Sequence, residues 1–243
     1  MTVALVTNVT QYAGPAGAGA LAADGFRVVC HDETFTDAEV RDKFAAGNPD
    51  LTPVAEQEAA ALLTAAGDHG SVDVVLSNDY VPPAAVRTPF DGAPLGDLEF
   101  LMRRLVYRPF ELIQAATPAM KAGGGGRIIL MTSAVAVRPL ATAVLYSAAR
   151  AAATTMTTAA AKALGEHNIQ LNAIGPNWFE NPTYFPPGLW ESDADLRATV
   201  AKEVPLQRLG RQEEMGALIA FLASGKATPV TGQFFGFTGG WLP

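Results

Sequence analysis

Three side chains near the middle of the chain have types and spacing suited to proton transfer. Ser133 is followed thirteen residues later by Tyr146 and, one helical turn further along the same face, by Arg150. A phenol can hold and release a proton, and a serine hydroxyl can hydrogen-bond the oxygen that gives it up. A unit charge ~5 Å from a phenolate, at an effective dielectric of about 20, contributes roughly 3 kcal/mol, so Arg150 favours the ionised form and makes Tyr146 a candidate general base. Ser147 points about 100° away from that face and reads as structural. His31, His69 and His167 are far apart and match no ligand spacing, so no metal site is expected.

The elements that must position this set follow from the apolar pattern. Short β-branched runs alternate with Ala-rich helical stretches, which predicts an α/β fold: a single-domain, doubly wound parallel sheet spanning residues 1–243. Strands are expected at Val3–Thr7, Phe26–Cys30, Val72–Ser77, Arg127–Thr132, Ile169–Ile174 and Gln233–Phe237. A helix is expected after the first turn, running to about Asp24, and further helices at Asp37–Ala46, Pro53–Ala66, Leu98–Lys121, Thr142–Leu164 and Glu213–Ala223. Ser133 then falls at a strand's carboxyl end, and Tyr146 and Arg150 on the long helix that follows. Residues 175–205 break the rhythm, with prolines interleaved with Trp178, Phe179, Tyr184, Phe185 and Trp190. This segment reads as an aromatic cap over a pocket, because ligands of open α/β sheets bind beyond the strand carboxyl ends.

Composition narrows the partners. The 243 residues are 49% hydrophobic and 17% charged, with a net charge of −7 and 17 scattered Lys and Arg, which argues against nucleic acid. The lone Cys30 ends an apolar run and reads as a buried thiol in a reducing compartment. No basic-then-apolar leader and no membrane-length apolar run is seen, so a cytoplasmic, membrane-free protein is expected.

The turn after the first strand reads Thr7-Asn8-Val9-Thr10-Gln11-Tyr12-Ala13-Gly14. It resembles the T-G-x-x-x-G-x-G turn of the short-chain dehydrogenase/reductases, with Asn8 and Tyr12 in place of two glycines. A tyrosyl ring there takes up volume that a dinucleotide needs. Further likeness lies in Ser77-Asn78-Asp79-Tyr80 at the family's N-N-A-G turn, in Pro229 to Gln233 with Gly239-Gly240, and in a reversed Gly175-Pro176. Leu105 stands where that family has the Asn of its proton relay, and Arg150 where it has a ribose-binding lysine. Asp32, at the family's adenine-ribose position, reads as a loop or cap residue.

Taken with Cys30 to Glu33, Ala173 to Asn177 and Leu206 to Gly210, these features resemble the halohydrin (haloalcohol) dehalogenases within that superfamily. The resemblance implies a cofactor-free lyase that turns vicinal haloalcohols into epoxides, reopens epoxides with small anions, and assembles as a homotetramer partly through the two long helices. It also implies Ser133, Tyr146 and Arg150 as the catalytic set. The leaving halide would sit on amides of the loop Pro176, Asn177, Trp178 and Phe179, with Tyr12 as the opposite wall, since aromatic edges and backbone N–H groups suit a weakly hydrated anion. Trp178 and Phe179 read equally well as ordinary core packing. Two alternatives stay open: a divergent NAD(P)-dependent reductase, and a non-catalytic small-molecule binder on the same fold.

Overall fold

The computed structural model describes residues 2–242. Seven strands form one sheet: β1 (Thr2–Val6), β2 (Arg27–His31), β3 (Leu51–Val54), β4 (Ser71–Ser77), β5 (Gly126–Met131), β6 (Ile169–Pro176) and β7 (Phe234–Phe237). Their order is β3-β2-β1-β4-β5-β6-β7, and every pairing is parallel. The central strands are buried almost throughout, as a sheet covered on both faces requires. The helices are α1 (Gly14–Ala23), α2 (Ala38–Gly47), α3 (Ala59–Gly67), α4 (Leu95–Met102), α5 (Arg108–Ala122), α6 (Val144–Leu164), α7 (Leu189–Ser192), α8 (Ala194–Glu203) and α9 (Gln212–Ala223). One apolar core joins α1 and α9 to the sheet, a second joins α3, α5 and α6, and a third gathers around Tyr146.

Three expectations need correction. The helix expected over Pro53–Ala66 is an edge strand followed by a shorter helix beginning at Ala59. Pro53 pairs with Cys30 on one side only, and an edge strand can spare the missing N–H. The cap over residues 175–205 is not loop throughout: α7 and α8 occupy its second half, and the Asp193 side chain caps α8 by accepting from Leu196 N at 2.8 Å. The long helix before β5 carries a π-turn at Arg103–Tyr107 between α4 and α5. Pro109 has no N–H for the Leu105 carbonyl one turn back, and the widened turn falls there.

The order of strands reverses direction between β1 and β4, so the crevice opens at their carboxyl ends. Register places Val6 opposite Leu76, Ser77 opposite Leu130 and Met131 opposite Ile174. The residues next after β1, β4 and β5 therefore emerge side by side along one edge. Among the described residues no helix is long and apolar enough to cross a membrane, and no group of three or more His, Cys, Asp or Glu could hold a metal ion.

Candidate active site

Arg150 is the centre of the site. Its side chain is fully buried, and Nε donates to the Tyr146 hydroxyl at 3.0 Å, Nη1 to the Met131 carbonyl at 3.0 Å and Nη2 to the Asp79 carbonyl at 2.9 Å. The guanidinium thus ties α6 to the ends of β4 and β5. Its burial works against the charge, but the phenol groups of Tyr146, Tyr12 and Tyr184 more than offset that and hold the group protonated. The Arg150 guanidinium lies 5.1 Å from the Tyr146 ring centre and 5.9 Å from that of Tyr12.

Three phenols surround this charge, in different settings. Burial pushes Tyr12 and Tyr184 well above the usual phenol range, and the nearby Tyr146 adds to both shifts. The Tyr12 hydroxyl donates to the Thr132 carbonyl at 3.0 Å, and that of Tyr184 to the Val81 carbonyl at 2.9 Å. Tyr146 differs in that its oxygen accepts directly from the guanidinium. Ser133 lies at the carboxyl end of β5 in extended backbone, its hydroxyl accepting from Val135 N at 3.4 Å. Ala134 and Val135 pack in the same apolar cluster as Tyr146, which brings Ser133, Tyr146 and Arg150 to one end of the sheet.

Asp79 completes the floor. Burial raises its carboxyl, opposed by the Ser77 hydroxyl at 2.5 Å and by the charge of Arg150. A cavity of about 270 Å³ is lined by Asp79 together with Thr7, Asn8, His31, Gln57 and Arg108 among others. Leu105 is buried in the Tyr146 cluster, so an apolar side chain stands where a relay Asn was looked for.

The first turn decides whether a dinucleotide fits. Asn8 has φ of 48° and Tyr12 φ of 49°, both left-handed, so two L-residues hold the backbone that glycines adopt freely. The amides from Val9 to Gly14 each have a protein acceptor. Val9 N donates to His31 O at 2.9 Å, Thr10 N to Asp32 Oδ2 at 3.1 Å and Gln11 N to Asn8 O at 3.0 Å. Tyr12 N donates to Thr183 Oγ1 at 2.7 Å, Ala13 N to Asn78 Oδ1 at 3.2 Å and Gly14 N to Gln11 O at 2.8 Å, while Pro15 has no N–H. The buried Tyr12 ring packs on Phe179 at 5.5 Å and edge-on to Tyr184 at 5.4 Å. These residues do not fit a dinucleotide. Asp32 is a capping residue, accepting from Thr10 N and Thr34 N.

The aromatic loop is divided between two cores. Phe179 joins Tyr12 and Phe237, whereas Trp178 packs on Phe185 in the Tyr146 cluster, so both side chains pack in a core. Pro176 ends β6. Asn177 N is spent on the Phe237 carbonyl at 3.1 Å, but the amides of Trp178 and Phe179 meet no acceptor among the described residues, nor does the Trp178 indole N–H. Asn181 fixes the loop: its Oδ1 accepts from Thr183 N and Tyr184 N, and its Nδ2 donates to Phe179 O. Tyr184 and Asn181 were not legible as site residues, although an Asn-Pro-Thr run is a turn signal. Arg104 and Arg108 reach across to Glu33, with Arg104 at 3.0 Å. Burial acts to raise the Glu33 carboxyl, but the two guanidinium groups hold it below its ordinary value. Burial pushes the Cys30 thiol up to about 12, which makes it inert.

The family described as enoyl-(acyl carrier protein) reductase matches residues 13–241, and the chain belongs to the short-chain dehydrogenase/reductase superfamily. Among curated relatives, cis-4-hydroxycyclohexanecarboxylate dehydrogenase of Sinomonas cyclohexanicum is 34% identical over 98% of this chain and 96% of its own length. Galactitol 2-dehydrogenase of Agrobacterium fabrum is 30% identical over 99% of this chain and 97% of its own. Among solved structures, a halohydrin dehalogenase bound to ethyl (2S)-oxiran-2-ylacetate superposes with a TM-score of 0.95, at 38% identity over 100% of this chain and 98% of that one. A structure described as a dehalogenation enzyme gives 0.93 at 35% identity, covering 99% and 98%.

Proposed function

We propose that this chain is a cofactor-independent halohydrin dehalogenase, with Ser133, Tyr146 and Arg150 as its catalytic residues. The observation that carries the reading is the first turn, whose amides are all occupied and whose Tyr12 ring fills the space beside Phe179. Both features argue against a seat for a hydride donor, while Ser133, Tyr146 and Arg150 gather at one end of the sheet. The likeness to a halohydrin dehalogenase holding an epoxide supports the same choice.

In the proposed reaction the Tyr146 phenolate takes the proton of the substrate hydroxyl, and Ser133 donates a hydrogen bond to that oxygen. The alkoxide attacks the adjacent carbon, forming the epoxide C–O bond as the carbon–halogen bond breaks, and halide leaves with the bonding pair. Because nucleophile and leaving group are in one molecule, holding the chain bent supplies much of the rate. Arg150 stabilises the phenolate before the step, and the phenol that the step leaves gives its proton up to solvent to restore it. The unpaired amides of Trp178 and Phe179, with the Tyr12 ring opposite, are the proposed halide seat, flanked by Pro176 and Asn177. Epoxide opening by small anions is the reverse. The same reading includes a homotetramer built partly through α5 and α6, for which Tyr107 and Phe110 offer half-exposed apolar surface.

The test is halide and proton release from a short 1-halo-2-alkanol by purified protein without nicotinamide. A second reading, a divergent reductase, draws on the dehydrogenase names among the curated relatives. Stoichiometric NADH or NADPH binding by calorimetry, with no halide release, would replace the first reading by the second.

A further inference from the structure

The two walls of the proposed halide seat come from distant parts of the chain, Tyr12 from the first turn and the amides of Trp178 and Phe179 from the loop after β6. One side chain hydrogen-bonds them together. The Thr183 hydroxyl accepts from Tyr12 N at 2.7 Å and donates to Gln11 Oε1 at 3.0 Å. Among the described residues, every hydrogen bond between the turn of residues 7–14 and the loop of residues 177–188 runs through that hydroxyl. On its other side the turn is held by Asn78, whose Oδ1 accepts from Ala13 N and whose Nδ2 donates to Gln11 O at 2.8 Å, and by Asp32, which accepts from Thr10 N. Thr183 is in turn tied to the seat: its N–H donates to Asn181 Oδ1 at 3.1 Å, and Asn181 Nδ2 donates to Phe179 O at 2.7 Å. A path of hydrogen bonds therefore runs from the Tyr12 amide through Thr183 and Asn181 to Phe179.

We propose that Thr183 is a positioning residue for the leaving halide, its hydroxyl fixing the distance between Tyr12 and the loop amides and so setting which halides the seat prefers. Tyr12 needs such a hold. Its φ of 49° is a conformation that an L-residue keeps only where its surroundings impose it. The contacts of its ring with Phe179 at 5.5 Å and Tyr184 at 5.4 Å resist separation but are not strongly directional, whereas an N–H···O bond of 2.7 Å fixes a spacing. A seat of fixed width discriminates among chloride, bromide and iodide by size. One that is free to relax adapts to each ion and holds each less well. The hydroxyl suits the task because it can accept from one residue of the turn and donate to its neighbour at once. No other loop side chain hydrogen-bonds the turn: Asn181 spends its amide within the loop, and Tyr184 gives its hydroxyl proton to Val81 O.

This role rests on the halide seat proposed above. Thr183→Val keeps the shape of the side chain and removes the hydroxyl, while Thr183→Ser keeps the hydroxyl. Bromide affinity is measured without substrate, from the saturable change in tryptophan fluorescence at constant ionic strength. Inhibition of haloalcohol turnover is measured with bromide and, separately, with the epoxide product. Thr183→Val should weaken bromide by about ten-fold in both measurements and bring the affinities for chloride and iodide closer together. Inhibition by the epoxide, which needs Ser133 and Tyr146 but not the seat, should stay unchanged, and Thr183→Ser should restore wild-type affinity. A merely structural residue would weaken bromide and epoxide together, and that result, or an unchanged bromide affinity in Thr183→Val, overturns the proposal. If Thr183→Val fails to fold, Gln11→Met, which removes the acceptor of the Thr183 proton and leaves the Tyr12 bond, should weaken bromide in the same direction; no change there is equally fatal. Wild-type halide release with undiminished bromide binding in Thr183→Val sinks this role alone, whereas a wild type that neither releases halide nor binds bromide sinks the dehalogenase reading and this role with it.

Discussion

Tyr146 is the acceptor for a buried charged donor, and removing its hydroxyl has two separable consequences. Activity should fall by at least about 100-fold, the usual share of a general base. The Arg150 Nε–H also loses its partner in a site without bulk water, so Tyr146→Phe should lower unfolding free energy by about 1–3 kcal/mol in chemical denaturation. Loss of activity with unchanged stability would mean that Nε finds another acceptor. Ser133→Ala leaves the Arg150 bonds intact and should cost activity without that stability penalty. The type of each of these residues was readable from the chain, because a phenol and a guanidinium one turn apart point the same way on any helix. That Tyr12 and Tyr184 would also stand around the charge of Arg150 was not, since they arrive from the first turn and the aromatic loop.

Among the elements, β6 and the loop that follows it carry the finest tolerances. A Cβ on Gly175 would stand 2.1 Å from the Phe234 ring and 3.1 Å from the Ser133 carbonyl carbon. Gly175→Ala is therefore expected to push β7 and Ser133 apart from β6, with a loss of about 1–3 kcal/mol from overpacking and a lower kcat at unchanged fold. Circular dichroism with steady-state kinetics tests it; a variant indistinguishable from wild type would show that Phe234 turns aside without cost. The positions of the strands were legible because β-branched runs bounded by polar turns have few other readings. β3 was not, as its four residues contain a proline and owe their strand state to one neighbour. The helices α7 and α8 were hidden by the prolines and aromatics before them.

At the scale of the whole molecule, pH and assembly are open to measurement. His31 is buried, its Nδ1 accepting from Asn8 N at 3.3 Å and its Nε2 bonded to Gln57 Oε1 at 3.1 Å. Burial holds it below its ordinary value of about 6.5, against the opposing pull of Gln57 and Asp32. The unfolded chain then binds this proton first as pH falls. The contribution of His31 to stability is complete above about 6.5 and is lost as the pH drops through the lowered folded-state value. The difference between wild type and His31→Gln in denaturant unfolding should accordingly shrink from pH 7 to 5; a difference independent of pH would contradict it. Analytical ultracentrifugation should find a tetramer, and charged substitutions at Tyr107 and Phe110 should dissociate it; a wild-type monomer at micromolar concentration would remove that part of the proposal.

The sequence by itself determined the alternation of strand and helix, the placing of Ser133 at a strand end, and the turn from Tyr146 to Arg150. These rest on local periodicity and on residue chemistry that travels with the side chain. It also determined that Asn8 and Tyr12 replace glycine, but not what that replacement does. Only the tertiary structure decided that, because the amides of the first turn find their acceptors on Asp32, Asn78 and Thr183, residues up to 171 positions away in the chain. Hydrogen-bond saturation is a property of what the fold brings together, and no spacing in the turn itself could have announced it.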